Sequence, residues 1–193
     1  MLIAPPPVTP DLPARERILW TAARLFYADG VRATGIDRVI AEAGVTKVTF
    51  YRHFPSKNDL VLAFLADRHT RWMAWLDEAL ARHGDTVAAL VPALAEWLGD
   101  EGFRGCAFLN TTAELAGDLP EVATLTAEHK AAVALRLQRL PLSGNAQPAR
   151  TPTSEDAALL CTLIDGAIVR AVYEGDAAGA LAALAHGTRL LGR

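Results

Sequence analysis

Cysteine is scarce in this chain, and its scarcity excludes two kinds of stabilised architecture. The 193 residues contain only two cysteines, Cys106 and Cys161. Two cysteines are too few for a disulfide scaffold, and neither has a second Cys or a His nearby at the spacing of metal ligands. We therefore expect two reduced thiols, no metal site and no cofactor.

Long apolar runs are also lacking. No stretch approaches the roughly 18 consecutive apolar residues of a membrane-spanning helix. The opening MLIAPPPVTP has neither a basic leader nor the apolar centre of an export signal. We therefore expect a cytoplasmic protein with no membrane partner.

A large excess of positive charge is missing as well. The formal net charge is -3, which argues against an architectural protein that coats any DNA. The charge is unevenly divided, because residues 1 to 60 carry eight Lys or Arg against six acids and residues 61 to 193 carry eleven against sixteen. Only the first third suits a polyanionic partner. The hydrophobic content of 51% excludes a disordered chain.

Residues 34 to 60, TGIDRVIAEAGVTKVTFYRHFPSKNDL, predict two short helices joined by a tight turn and followed by a third helix. Thr34 is expected to cap the first helix, and Gly44 to end it in the left-handed conformation. Its apolar face has helical spacing and consists of Ile36, Val39, Ile40 and Ala43. Thr46 is expected to cap the second helix almost at once. A turn this short forces the two helices to cross steeply, as in a helix-turn-helix.

The second helix of this pair, Lys47 to Phe54, is rich in hydrogen-bond donors and has no acid. Val48, Phe50 and Phe54 are its expected core anchors. Donors on such a helix can reach phosphates and base edges in a major groove about 12 Å wide. Ser56 is expected to cap the next helix beside Lys57, where a phosphate could dock on free amides. The alternative is an ordinary solvated surface.

The run AGVTKVTFYRHFPSKNDLV, with an upstream helix that ends at Asp29-Gly30, resembles the DNA-binding region of TetR-family transcriptional regulators. In that family the second helix of the motif enters the major groove, so the resemblance implies DNA contacts at matching positions. Gly35 departs from the pattern, because many members have a Ser or Thr there that can touch a phosphate. The residues predicted to contact DNA are Thr46, Lys47, Thr49, Tyr51, Arg52, His53 and Lys57. For Tyr51, packing beside Phe50 is an alternative.

The helical period continues through the rest of the chain, and no segment alternates like a strand, so the expected fold class is all-α. We predict a disordered N-terminal arm at 1–13, a three-helix helix-turn-helix head at 14–55, and a larger helical body for ligand binding and dimerisation at 56–193. A long helix from Ser56 to about His83 would join the two. Asp85 is expected to cap the next helix and Pro92 to kink it. A loop rich in Pro, Gly and polar residues is expected at 141–153.

The last two helices, one capped by Ser154 and one at about 177–191, have more apolar surface than one small domain covers easily. TetR-family members pair through their last helices, and the resemblance implies the same homodimer here. The predicted dimer contacts are Leu160, Ile164, Ile168, Leu181 and Leu184. Gly166 could permit close helix approach. The alternative is that both helices are ordinary core.

A large apolar body attached to a DNA-binding head suggests a chamber for a small molecule that shifts the separation of the two heads. The predicted lining residues are Trp72, Trp75, Trp97, Phe103, Cys106, Phe108 and Asn110. They favour a lipophilic or aromatic effector, although aromatic residues at helical spacing are also typical of a core. FRGCAFLNTTAEL resembles the pocket-side helix of one branch of the family.

We therefore expect a ligand-responsive regulator, a repressor by its resemblance, that binds a near-palindromic operator as a homodimer and leaves it when an effector binds. One alternative is a sensor of oxidants or electrophiles that acts through Cys106. Another is a small-molecule enzyme that uses Cys106, Glu114, His129 and Asp165. The enzyme has little support, because the chain has no glycine-rich phosphate loop, no nucleophile elbow and no HExxH pair, so no catalytic residue is assigned.

Overall fold

The computed structural model describes residues 3–142 and 150–191. Every regular element within those ranges is helical, which confirms the all-α prediction. The α-helices are α1 (Ala14–Asp29), α2 (Ile36–Ala43), α3 (Lys47–His53), α4 (Lys57–Arg82), α5 (Leu90–Leu98), α6 (Ala107–Leu115), α7 (Glu121–Leu137), α8 (Ser154–Glu174) and α9 (Ala178–Leu191). A single 3-10 turn, Val87–Ala89, precedes α5. Residues 143–149 of the predicted loop lie outside the described residues.

The chain divides into two compact units. The first unit comprises Ile3–Arg71 and Ala107–Thr126, and so contains α1 to α3, most of α4, and α6. The second unit comprises Trp72–Cys106 and the described residues from Ala127 onward, and so contains the end of α4, α5, α8 and α9. The division falls inside α4 and α7. The functional limits expected from the sequence at 13/14 and 55/56 stay a prediction.

The first unit has a core made from the apolar faces of its helices. Ile18 of α1, Val39 of α2 and Phe50 of α3 are at most 1% exposed. Phe26 of α1 packs edge to face against Phe64 of α4, with ring centroids 5.7 Å apart. Each buried side chain of this size stabilises the fold by about 1.5–3 kcal/mol relative to an exposed one. The short helices α2 and α3 are therefore held by tertiary packing.

The turn between α2 and α3 has the predicted conformation. Gly44 adopts φ +61 and ψ 42, the left-handed region that favours glycine, and its amide donates to the Ala41 carbonyl. The Gly44 carbonyl accepts a 3.2 Å hydrogen bond from Arg17 Nη1 on α1. The Thr46 hydroxyl then accepts from the Thr49 amide at 3.2 Å, which confirms Thr46 as the cap of α3.

Two predicted caps belong to neighbouring residues. Thr34 is fully buried, and its hydroxyl donates to the Gly30 carbonyl at 2.8 Å, so Gly35 takes the cap position of α2 without a side-chain bond. At the start of α8 the cap is Thr153, which forms a reciprocal capping box with Asp156. The prediction of Thr34 and Ser154 was therefore wrong at both helix starts. Ser56 is confirmed, since its hydroxyl accepts from the Asp59 amide at 3.1 Å.

The region around Pro92 also differs from the prediction. Thr86, rather than Asp85, lies at the start of the 3-10 turn, and α5 begins at Leu90. Pro92 therefore falls in the first turn of α5, where its missing amide has no helical partner to lose. A separate short turn replaces the predicted kink.

The described part of the N-terminal arm forms no helix, but its first described residue is anchored to α4. Ile3 is 3% exposed, and its carbonyl accepts a 2.8 Å hydrogen bond from Arg68 on α4. The Arg68 guanidinium lies 4.3 Å from the centre of the Tyr27 ring. A buried arginine of this kind needs both partners, because a desolvated charge without them is costly.

In the second unit α8 and α9 pack closely at Gly187. A Cβ added at Gly187 would lie 2.5 Å from Leu163 Cδ1, so a side chain there would require Leu163 to move. A Cβ added at Gly166 would meet nothing within 4 Å. The close approach within the chain is therefore at Gly187 rather than at Gly166.

No helix in the described ranges combines the length and apolar character needed to cross a membrane. The same residues contain no group of three or more His, Cys, Asp or Glu side chains arranged to hold a metal ion.

Two residues of α3 should respond differently to truncation. Phe50→Ala should lower the free energy of unfolding by about 3–5 kcal/mol, because it empties a fully buried site. Val48→Ala should change it by less than about 0.5 kcal/mol, because Val48 is 79% exposed. Urea unfolding followed by circular dichroism measures both. A comparable loss in the two variants would contradict the packing described for α3.

Candidate nucleic-acid interface

The outer face of α3 is open to solvent and polar. Lys47 and Arg52 are exposed, Tyr51 is 41% exposed, and Thr49 and His53 are half-buried. Phe50 lies on the opposite side and holds the helix to the core. The structure therefore brings the sequence-predicted residues of α3 together on one accessible surface.

Thr46 has a structural role in the cap of α3. Its hydroxyl caps α3 through the Thr49 amide, and the hydroxyl groups of Thr46 and Thr49 are also hydrogen bonded at 2.9 Å. Replacing such a cap by alanine typically costs about 1 kcal/mol. Thr46 thus orients α3 even where its hydroxyl has no other partner.

Tyr51 combines the two roles considered from the sequence. Its ring packs edge to face against Phe50, with centroids 5.2 Å apart and an interplanar angle of 84°. Because the residue remains 41% exposed, part of its side chain is still accessible from outside. Packing of the ring limits where the hydroxyl can point.

Lys57 begins α4 next to its Ser56 cap. Burial is the main influence on its ammonium and lowers the pKa of Lys57 below its ordinary value, while the nearby Glu114 carboxylate raises it and Arg32 lowers it. A half-buried ammonium has lost part of its hydration, so a phosphate can replace water there at a smaller cost.

Two acids on α1 and α2 are engaged with arginines. Arg38 pairs with Asp29 at 2.7 Å and with Glu42 at 2.9 Å. Arg24 also pairs with Glu42, and these two arginines lower the pKa of the Glu42 carboxyl. Lys47 lies 3.9 Å from Asp37, but both side chains are well exposed, so the pair is weak. The cations Lys47 and Arg52 of α3 are therefore largely available to pair with a phosphate.

Val48 is a surface residue that the sequence reasoning missed. The sequence predicts a core anchor at this position, but Val48 is 79% exposed, so that prediction is wrong. Its spacing from Tyr51 and Arg52, at three and four residues, puts all three on one helical face. That spacing is the feature of the sequence that indicates an exposed position for Val48. An exposed isopropyl group beside donors can contact a thymine methyl group in a major groove.

The predicted ligand residues are divided between the two units. Phe108 and Asn110 lie on α6 in the first unit, one buried and the other exposed. Trp72, Trp75 and Trp97 lie in the second unit with mutual centroid distances of 5.9 Å.

Further rings extend this tryptophan cluster. Phe103 packs on Trp97 at 5.4 Å, and His129, which is 3% exposed, packs on Trp72 at 5.2 Å. The Trp75 indole nitrogen is buried, and no described residue accepts its hydrogen bond. The cluster is thus mostly apolar and offers one unused donor.

Cys106, also predicted as a ligand residue, lies in a polar cluster of the second unit. It is 5% exposed, and Lys130 Nζ is 3.8 Å from its sulfur. Lys130 is also paired with Asp165. Burial lowers the pKa of Lys130, but Cys106 and Asp165 outweigh it and raise that pKa, so the ammonium stays charged. Burial raises the pKa of the neighbouring Cys161 thiol.

A cavity of about 680 Å³ lies in the second unit between the α5–α6 connection and the α8–α9 turn. Its walls include Leu98, Phe103, Arg104, Ala171 and Val172. The volume is in the range of small-molecule sites. Of the predicted ligand residues, Phe103 lines this cavity.

The predicted dimer residues lie mostly inside the chain. Leu160, Ile164, Ile168 and Leu184 are at most 4% exposed, and Leu181 is half-buried. A second copy cannot reach side chains that are already covered within one chain. The exposed apolar residues of α8 and α9 are instead Leu159, Val169, Val172, Tyr173 and Leu190, at 49–71% exposure.

Known proteins similar to this chain are regulators of transcription. Residues 18–64 match the bacterial regulatory proteins of the tetR family. The crystal structure of SCO4454, a TetR-family transcriptional regulator from Streptomyces coelicolor, is 32% identical, with a TM-score of 0.76 over 93% of this chain and 96% of that one.

Curated relatives match over shorter stretches. The HTH-type transcriptional activator FasR of Mycolicibacterium smegmatis is 43% identical over 95 residues, which are 47% of this chain and 43% of FasR. The uncharacterized HTH-type transcriptional regulator YerO of Bacillus subtilis is 45% identical over 49 residues, 25% of this chain and 17% of YerO. The matched part therefore spans less than half the length of either relative.

Proposed function

Because the chain belongs to the TetR family of transcriptional regulators, a family of DNA-binding proteins rather than enzymes, we propose that it represses transcription as a ligand-released homodimer in the cytoplasm. The observation that carries the proposal is the outer face of α3. Its cations Lys47 and Arg52 are exposed, while Asp29 and Glu42 of the same unit are paired with arginines. A helix with these properties suits the major groove.

The proposed division of roles follows from burial. Lys47, Val48 and Arg52 lie on the exposed face of α3 and read base edges, with Thr49, Tyr51 and His53 beside them. Lys57, at the start of α4, binds a phosphate. Thr46 keeps α3 capped in the orientation that this reading requires.

The proposed dimer uses the exposed stripe of α8 and α9 rather than their buried faces. Leu159, Val169, Val172 and Tyr173 form a run with helical spacing on α8, and Leu190 adds to it from α9. Gly166 is exposed within that run and has open space around it, so it allows close approach of a second copy. Two copies would read half-sites about 34–36 Å apart, or at a related spacing, in a near-palindrome.

The proposed effector is a lipophilic or aromatic molecule bound in the helical body. The tryptophan cluster and the cavity beside Phe103 support this class, since ligand sites are mostly apolar with a few polar groups. Release from DNA requires that the effector bind the two conformations with different affinity.

The central experiment uses the full-length chain and duplexes that it selects from a randomised pool. We expect binding to a near-palindromic duplex in preference to a scrambled one, and release by at least one member of a lipophilic and aromatic compound set. Gel shifts measure release, and quenching of tryptophan fluorescence measures ligand binding independently. A promoter fused to a reporter separates repression from activation. Equal affinity for the selected and scrambled duplexes would contradict the proposal.

A second candidate function rests on the 3.8 Å contact between Lys130 Nζ and Cys106 Sγ. A thiol beside an ammonium is a common setting for reactive cysteines. If an oxidant or electrophile is the signal, treatment with hydrogen peroxide or N-ethylmaleimide will release the selected duplex from the wild-type chain but not from Cys106→Ser. Release of both proteins alike would remove this candidate.

Replacing Lys57 or Lys47 by alanine should change DNA binding in different ways. Lys57→Ala should weaken binding about equally on all sequences and reduce the slope of log affinity against log salt by about 1. Lys47→Ala should change the base preference, at a cost of about 1–3 kcal/mol on the best duplex. Arg139→Ala, which removes an exposed cation from the other unit, is the control and should have neither effect. An unchanged salt slope in Lys57→Ala would rule out the phosphate contact.

Val169→Asp should convert the dimer to a monomer, because it buries a charge in the proposed interface. Leu135→Asp is the matched control, since Leu135 is similarly exposed, at 58%, but lies on α7 outside the stripe. Sedimentation velocity and unfolding measurements on both variants distinguish dissociation from misfolding. If Val169→Asp sediments as a dimer, the stripe is not the interface.

A further inference from the structure

Helix α6 is part of the same compact unit as the helix-turn-helix, although more than fifty residues separate them in the sequence. Near its C-terminal end Glu114 extends its carboxylate to the connection between α1 and α2. Oε1 accepts a hydrogen bond from the Val31 amide at 3.2 Å, and Oε2 accepts one from the Arg32 amide at 2.7 Å. We call this pair of hydrogen bonds the Glu114 latch.

Neighbouring contacts reinforce the Glu114 latch. Arg32 Nε donates to the Glu114 carbonyl at 2.8 Å, and its guanidinium also pairs with Asp118 just after α6. Gly30 adopts φ +89, and a Cβ added there would lie 3.1 Å from Glu114 Oε1. Glycine at this position therefore lets the carboxylate approach the backbone closely.

The segment held by the latch determines how α1 and α2 are joined. It runs from Gly30, after α1, to Gly35, at the start of α2. Inside it, the buried Thr34 hydroxyl binds the Gly30 carbonyl at 2.8 Å. A carboxylate that accepts from two backbone amides forms charge-assisted bonds, which are roughly twice as strong as neutral ones. The connection that leads into α2, and through the tight turn to α3, is thus hydrogen bonded to a residue of α6.

We propose that Glu114 is a positioning residue for DNA recognition: it does not touch DNA, but it fixes the α1–α2 connection and thereby the orientation of α3. This inference rests on the proposed function.

The direction in which DNA affinity changes when Glu114 is removed distinguishes a positioning role from a purely electrostatic one. Glu114 lies close enough to Lys57 to raise its pKa, although burial and Arg32 act in the opposite direction. If Glu114 acted only as a negative charge near the phosphates, removing it would strengthen DNA binding. If it acts as a latch, removing it weakens binding, because α3 loses its fixed orientation.

The test compares Glu114→Ala and Glu114→Gln with Glu121→Gln in the full-length chain. Glu121 is an exposed acid of the same unit, on α7, and its variant removes one negative charge without touching the connection. On duplexes selected by the wild-type chain, Glu114→Ala should bind about 10-fold more weakly. Glu114→Gln keeps one acceptor oxygen and should lose less. Glu121→Gln should bind as well as the wild type or slightly better.

Hydrogen exchange measured by mass spectrometry supplies a second readout that is independent of DNA affinity. The amides of Val31 and Arg32 should exchange faster in Glu114→Ala, while the amides in the cores of α1 and α4 keep their protection. If the wild type binds its selected duplex and both Glu114 variants bind it equally well or more tightly, the positioning role of Glu114 is overturned while the proposed function stands. A wild-type chain that selects no duplex would overturn the proposed function, and the positioning role would fall with it.

Discussion

Burial of Phe50 beneath α3 is the interaction on which the rest of the interface depends. A helix of seven residues has too few internal hydrogen bonds to persist alone in water. It is instead held by the Thr46 cap, by the bond from Arg17 to the Gly44 carbonyl in the preceding turn, and by Phe50 in the core. The polar face is free to meet a partner because the helix is held by its cap, by the turn before it and by its opposite face.

The sequence predicted the helices well because their signals are local. The period of apolar residues, the glycine at 44 and the Thr46 cap each act within a few residues, and the structure confirms them. Burial on α8 was less predictable, because both sides of that helix are apolar and periodicity alone cannot say which side faces the core. The prediction for Val48 was wrong for a related reason, since an apolar residue among polar ones is typical of a core anchor and only its spacing from Tyr51 and Arg52 indicates exposure.

Contacts between distant segments were beyond reach for a different physical reason. Glu114 and Arg32 are separated by 82 residues, and nothing in either local sequence requires the other. The same holds for Lys130 and Asp165, which are 35 residues apart, and for the grouping of α6 with the N-terminal helices. A pattern-based boundary at the end of the motif follows chain order, whereas compact units follow packing. Specific roles of side chains in the body therefore had to come from the structure.

The exposure of Val48 bears on how proteins of this kind diverge. Its side chain contributes almost nothing to holding α3 in place, whereas Phe50 two positions later is fully buried. Mutations at position 48 can therefore accumulate with little effect on folding. Each substitution alters the surface that α3 presents to a base pair. Recognition of a new promoter and retention of the scaffold become separable traits, encoded on opposite sides of the same two turns of helix.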